Sequence, residues 1–339
     1  MKILIIGGTG NISTGITRLL LEQNHEVVHF NHDKNCNAAT IGVRQIFGDR
    51  TNHLEFEKNM MDAGTFDCVI DMIGYQPEDA ESDVRAFRNR VGQFIFCSTV
   101  DVYTKPARRY PVREDAERNP IPAFSYAHNK ARCERILEAA HHPTDFPVTI
   151  IRPAATYNDT WCPLSLIGPG PAFLKRIRTG MPVIILGNGQ SIWVSAHRND
   201  TARAFAGAVG NSKAIGKAYH ATGEEWITWE RYYEITREVM QAPPLKPVFI
   251  PARLLARMAP EAASWSDWNF QYNNLFDNTA ARQDLGFQFT IGWAEGVRRM
   301  VEYHDAQGNI DHAGTDPLYE KIIQAWSKVE KQAIADMAD

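Results

Sequence analysis

The first fifteen residues constrain the chain most. Lys2-Ile3-Leu4-Ile5-Ile6 is a short apolar run rich in β-branched residues, as a buried parallel strand requires. Gly7-Gly8-Thr9-Gly10-Asn11-Ile12-Ser13 follows at once, and Thr14 to Gln23 then reads as a helix with Ile16, Leu19, Leu20 and Gln23 on one face. A glycine-rich turn between a strand and a helix lets backbone approach a ligand where side chains would obstruct it. The free N–H groups and positive dipole end of the helix then suit a pyrophosphate.

From there strand and helix alternate. Strands are expected at Glu26 to Phe30, Val43 to Phe47, Phe66 to Met72, Gln93 to Cys97 and Val148 to Arg152. Helices are expected at Asn52 to Ala63, Pro77 to Asn89 and Ser125 to Ala140. This rhythm predicts an α/β fold, a doubly wound parallel sheet with its ligand at the C-terminal strand ends. The glycine turn, Asn31, Asp49, Met72-Ile73-Gly74 and Ser98-Thr99 all fall at those ends.

Beyond Arg152 the rhythm loosens into a Pro- and Gly-rich stretch, Thr156 to Pro171, and a smaller, mostly helical C-terminal lobe. The expected division is a Rossmann domain over 1–155, with 181–222 returning to it, and a substrate-binding lobe over 156–180 and 223–339. Net charge is −4, and no basic stripe suggests a nucleic-acid partner. Five scattered cysteines, Cys36, Cys68, Cys97, Cys133 and Cys162, fit reduced thiols. No apolar run approaches the ~20 residues that span a bilayer. The expectation is a cytoplasmic protein with no membrane partner. His29-x-x-His32 has a metal-like spacing, but no cysteine or carboxylate cluster completes a site, so no metal is expected.

Tyr126 and Lys130 stand four apart in a helical stretch, on one face. An ammonium beside or beneath the phenol would favour phenolate and lower its pKa from about 10. Tyr126 would then suit general acid/base work on a carbinol or carbonyl oxygen.

With these residues in view, the chain resembles an extended short-chain dehydrogenase/reductase of the NAD-dependent epimerase/dehydratase type. The likeness covers most of the chain. It rests on Gly7-x-x-Gly10, Asp49, Asp67 to Gly74, Phe94 to Tyr103, the Tyr126/Lys130 pair, Arg152-Pro153, Asp200-Thr201-Ala202 and Ala281 to Phe287. The resemblance implies a catalytic set of Thr99, Tyr126 and Lys130, with Tyr126 as acid/base, Lys130 on the nicotinamide ribose and Thr99 orienting the substrate oxygen. It implies cofactor contacts from Gly7, Thr9, Gly10, Asn11, Ile12, Asn31, His32, Asp49, Arg50, Met72, Ile73, Gly74, Cys97, Tyr126, Lys130, Pro153 and Ala154. Substrate contacts would come from Ser98, Asp101, Trp193 and Arg198. Relatives often dimerise through the Tyr/Lys helix and the one before it; Val84, Phe87 and Leu137 could serve such a homodimer or equally the core.

Four positions depart from the family pattern. Ser13 replaces the usual third glycine. Thr99 replaces the commoner serine, with Ser98 as its rival. Asn31 stands where an acidic residue would bind the ribose 2′-hydroxyl of NAD; His32, Lys34 and Arg44 could attract the extra phosphate of NADP, and Asp33 opposes it. NAD is slightly favoured over NADP. Trp193 falls where sugar-nucleotide enzymes carry an arginine for the diphosphate, and Arg198, Arg176 or Arg178 could substitute. The expected activity is oxidation of a hydroxyl on a sugar or sugar-nucleotide in an epimerase or dehydratase. The alternatives are a dehydrogenase or ketone reductase on a non-nucleotide sugar-like substrate, and a non-catalytic RNA-associated relative.

Overall fold

A computed structural model describes residues 1–32, 42–161, 167 and 170–338. Asp33, Lys34, Cys36 and Cys162 lie outside the described residues, as does most of the 162–169 stretch of the Pro/Gly-rich loop. The chain divides into two compact units. One comprises Met1–Thr156, Ala196–Gly223 and Phe276–Thr290; the other comprises Tyr157–Ser195, Glu224–Leu275 and Ile291–Asp339.

The first unit is built on seven parallel strands. They include β1 (Lys2–Ile6), β2 (Glu26–Asn31), β3 (Arg44–Phe47), β4 (Phe66–Asp71), β5 (Val91–Cys97) and β6 (Val148–Pro153). Ala218–Ala221 adds the outer strand, in the order 218–221, β6, β5, β4, β1, β2, β3. In register, Ile6 stands opposite both Phe30 and Asp71, and Asp71 opposite Phe96, so the strands end together. The chain order reverses at β1, where a crevice opens between β1 and its neighbours. Alternate residues feed two cores. Ile3 and Ile5 pack with Ile16, Leu20 and Phe205 on one face, and Leu4 and Ile6 with Phe56, Phe94 and Leu137 on the other. Burial on both faces is why β1 is apolar from Ile3 to Ile6.

Helices α1 (Asn11–Glu22), α2 (His53–Ala63), α3 (Pro77–Phe87) and α4 (Ser125–Ala140) cover this sheet with helix Arg198–Ala208. The expected return segment is narrower than 181–222. Pro182–Leu186 pairs with Lys246–Ile250 in the second unit, whereas Phe276–Thr290 joins the first. Helix Thr279–Leu285 ends in Gly286 at φ +65°, and Phe287 then enters the core. Phe87 and Leu137 are spent in this chain's own core at 2% and 0% exposure. The outward residues of α3 and α4 include Glu78, Glu81, Arg85, Arg132, Arg135 and Glu138, so those faces offer charge rather than an apolar dimer seam.

The second unit centres on aromatic packing. Trp193 stacks on Trp229 at 4.7 Å with Phe270 edge-on, and Tyr232 stacks on Trp293 at 3.8 Å. Helix Pro260–Trp265 and the π turn Ser266–Phe270 carry no clear sequence signal. No described helix is long and apolar enough to cross a membrane.

Candidate active site

The glycine turn is shaped by close approach. Gly7 takes φ +82°, and its N–H donates to the Phe30 carbonyl at 2.8 Å. A Cβ on Gly8 would overlap the His29 ring beneath it. Ser13, in place of the third glycine, donates its hydroxyl to the Gly7 carbonyl at 2.6 Å and tightens the turn. Gly10 caps α1 with no side-chain hydrogen bond, and no acidic residue enters the first turn. The first N–H groups of α1 and their dipole therefore face the turn without a competing anion. Asn11 ties this helix start to the Thr156 carbonyl at 2.9 Å. Arg198 Nη1 lies 3.3 Å from Thr14 Oγ1, bringing a guanidinium to the same helix.

Asn31 ends β2 with its amide bonded to Gln45 of β3 at 2.8 Å. The Asp49 carboxylate accepts from the Thr51 N–H and hydroxyl at 2.8 and 2.7 Å, and the hydroxyl leads in pulling its pKa down. Arg50 does not reach outward as expected. It is 5% exposed, its Nη2 donates to Asp83 at 2.7 Å and to the Asp79 carbonyl at 2.8 Å, and its plane covers Phe56. Burial drives Asp83 well above the carboxylate range despite this cation. Asp71, at the end of β4, accepts from the N–H groups of Ile73 and Gly74 at 2.8 and 3.0 Å and sets the following loop. Ile73 packs against Gly7, whose Cβ would stand 2.5 Å from it.

Across the crevice lie the β5 end and α4. Lys130 is 1% exposed and donates to the Cys97 carbonyl at 2.7 Å. Its ammonium also lies 4.8 Å from the Tyr75 ring centre and 4.6 Å from that of Phe96. The expected lowering of Tyr126 by Lys130 does not occur here. Burial, with Asp101 second, pushes the Tyr126 phenol up, and its hydrogen bond to Thr99 pulls the other way. The Thr99 hydroxyl faces Tyr126 and Asp101, whereas Ser98 faces the Glu134 carboxylate held by Arg152. Geometry thus separates the two rivals.

Sequence reasoning missed two neighbours. Tyr75 lies 6.4 Å from Tyr126, ring to ring. Lys105, with a side chain 10% exposed, pairs with Asp101 at 3.6 Å, and burial pushes it down to about 8. Asp101 precedes Lys105 by four residues, but Pro106 beside it marks no helical stretch in which that spacing would pair them. Trp193 belongs to the second unit, 4% exposed within its aromatic stack, so it does not stand in for an arginine. Trp229 is buried and Trp226 is 47% exposed.

A parallel sheet reversing at β1, a glycine-rich turn and an uncapped helix start define a Rossmann-type nucleotide-binding protein. The chain belongs to the NAD dependent epimerase/dehydratase family, which it matches over residues 3–221. It is similar to chloroplast stem-loop binding protein of 41 kDa b from Arabidopsis thaliana, 28% identical over 68% of this chain and 60% of the relative's length. The chain therefore matches less than two thirds of that relative. It is also similar to 2'-dehydrokanamycin reductase of Streptomyces kanamyceticus, 25% identical over 82% of this chain and 77% of the relative. Among solved structures, UDP-glucose 4-epimerase of Thermotoga maritima with UDP-glucose superposes with a TM-score of 0.70 at 20% identity. It covers 91% of this chain and 99% of its own.

Proposed function

We propose that this chain is an NAD(P)-dependent enzyme of the epimerase or dehydratase type that oxidises a hydroxyl of a sugar or sugar-nucleotide. The observation that carries this reading is the juxtaposition of Tyr126, Thr99 and Lys130 at the strand ends facing the glycine turn. The turn, the uncapped α1 and the carboxylate of Asp49 fit the pyrophosphate and adenine of a dinucleotide. When bound, the nicotinamide supplies the hydride acceptor.

As phenolate, Tyr126 takes the proton of the substrate hydroxyl, and Thr99 holds the oxygen as it becomes a carbonyl. Lys130 orients the Cys97 backbone in the site and brings the positive charge that a phenolate needs. In the free protein burial keeps Tyr126 protonated, so its activation belongs to the loaded site. A reductase acting on a non-nucleotide sugar is the second reading. It is raised by the likeness to 2'-dehydrokanamycin reductase. The stem-loop-binding relative raises an RNA partner as well; the Thr99/Tyr126/Lys130 set and the net charge of −4 favour the enzyme.

The test incubates the protein and NAD or NADP with UDP- and dTDP-hexoses and with free keto-sugars, identifying products by NMR. Conversion of a nucleotide sugar supports the main reading, and conversion of the free keto-sugars alone supports the second. No conversion, with salt-sensitive RNA binding instead, would overturn both.

A further inference from the structure

We infer that Gln45 makes the dinucleotide site selective for NAD over NADP by fixing which atom of the Asn31 amide a ligand meets. This rests on the cofactor reading above and deepens it.

The direction of the hydrogen bonds is settled by the groups that have no choice. The Val43 carbonyl only accepts, and Gln45 Nε2 lies 3.3 Å from it. Gln45 therefore turns its NH2 toward Val43, and that same NH2 lies 3.5 Å from His29 Nδ1. His29 Nδ1 then accepts, so its Nε2–H donates to Thr17 Oγ1 at 2.8 Å. Gln45 Oε1, left as an acceptor, takes the Asn31 NH2 at 2.8 Å. Asn31, Gln45, His29 and Thr17 thus form one directed chain, and the ring at its centre is the one that Gly8 rests upon. Burial holds His29 neutral, down to about 4, which keeps the chain directed at working pH.

Residues 29 and 31 point to the same face of β2. Asn31 therefore stands one step beyond His29 on the glycine-turn side, at the strand's C-terminal end. One hydrogen of its NH2 is held by Gln45 on β3, which fixes the amide's rotation and leaves its carbonyl oxygen on the side away from that strand, where a ligand over β1 would meet it. A ribose 2′-hydroxyl can donate to that oxygen. A 2′-phosphate brings only acceptors and negative charge, and meets a carbonyl dipole of the wrong sign. Among the described residues, the charged groups near this end include the Asp49 carboxylate, His32 and exposed Arg44. Asp49 opposes a phosphate, while Arg44 and a protonated His32 would attract one. The fixed amide is the contribution that tips the choice.

The experiment measures Kd for NAD and NADP by calorimetry on the full chain, in the wild type, Gln45→Leu and Gln45→Glu, with thermal melts confirming the fold. The wild type should bind NAD about tenfold more tightly, the size of one well-placed hydrogen bond. Gln45→Leu frees the Asn31 amide to turn its NH2 outward, so NADP affinity should rise and the ratio narrow about threefold or more. Gln45→Glu keeps an acceptor for Asn31 and adds a charge that itself repels a phosphate, so the preference should hold or widen, and a narrowed ratio there also overturns the inference. A wild-type preference for NADP, or an unchanged ratio in folded Gln45→Leu, overturns the inference and leaves the cofactor reading standing. Binding of neither nucleotide overturns both.

Discussion

Thr99 and Asp101 hold each other at the end of β5: Thr99 Oγ1 donates to Asp101 Oδ2 at 3.2 Å, and the Asp101 N–H donates to Thr99 Oγ1 at 3.2 Å. Lys105 lies on the far side of the same carboxylate and Tyr126 on the near side of the same hydroxyl. A negative Asp101 opposes a phenolate at Tyr126, and the Lys105 ammonium offsets that charge.

The first prediction is an alkaline limit set by Lys105. Its ammonium is present below about pH 8 and lost above it, which exposes the Asp101 charge to Tyr126. The kcat/KM profile should therefore fall as pH rises through about 8. Lys105→Arg should carry the limb upward, because a guanidinium stays charged. Lys105→Met should lose roughly tenfold or more at neutral pH. An identical alkaline limb in Lys105→Arg would remove Lys105 from the account.

Gly8→Ala is predicted to destabilise the first unit by about 1–3 kcal/mol, because the added methyl overlaps a ring that cannot leave its buried hydrogen bonds. Gly314→Ala, where nothing lies within 4 Å of the new methyl, should change stability by less than about 0.5 kcal/mol. Urea unfolding of both variants measures the difference, and equal midpoints would contradict the packing described.

His29 should make the fold acid-sensitive. Its pKa is about 4 in the folded protein, against an ordinary value of 6.5 once unfolded, so the unfolded chain binds a proton that the native one refuses between these values. The stability it contributes is fully present above pH 6.5 and declines toward pH 4, by up to about 1.4 kcal/mol per pH unit. Urea unfolding at several pH values should show a shallower decline in His29→Gln than in the wild type. Parallel slopes would place the acid sensitivity elsewhere.

The fold was legible because burial on both faces writes apolar runs into β1 at Ile3–Ile6, β4 at Cys68–Ile70 and β5 at Phe94–Cys97, and because Gly7, Gly8 and Gly10 sit between the first strand and its helix. The Tyr126/Lys130 pair was legible from helical spacing, and Thr99 joined it through the family resemblance. The electrostatics of the cluster were not legible. Spacing placed Lys130 near Tyr126 but could not show that the Cys97 carbonyl takes the ammonium. Arg50 follows Asp49 in sequence, yet its side chain turns into buried carboxylates that come from α3. Trp193 was placed by counting back from Asp200, and counting carries no information about the Trp229 and Phe270 rings that enclose it. Gln45 acts through a partner on β2, which a linear reading does not pair, whereas Lys105 acts through Asp101 only four residues before it.

The central claim is that Tyr126 performs the proton transfer in a dinucleotide-loaded site. The most direct measurement compares wild type and Tyr126→Phe for turnover, with cofactor Kd determined on the same preparations. The account predicts a loss of turnover of about 10²-fold or more with cofactor affinity nearly unchanged, since the phenol hydroxyl serves chemistry and its ring remains. Retained turnover in Tyr126→Phe would contradict it.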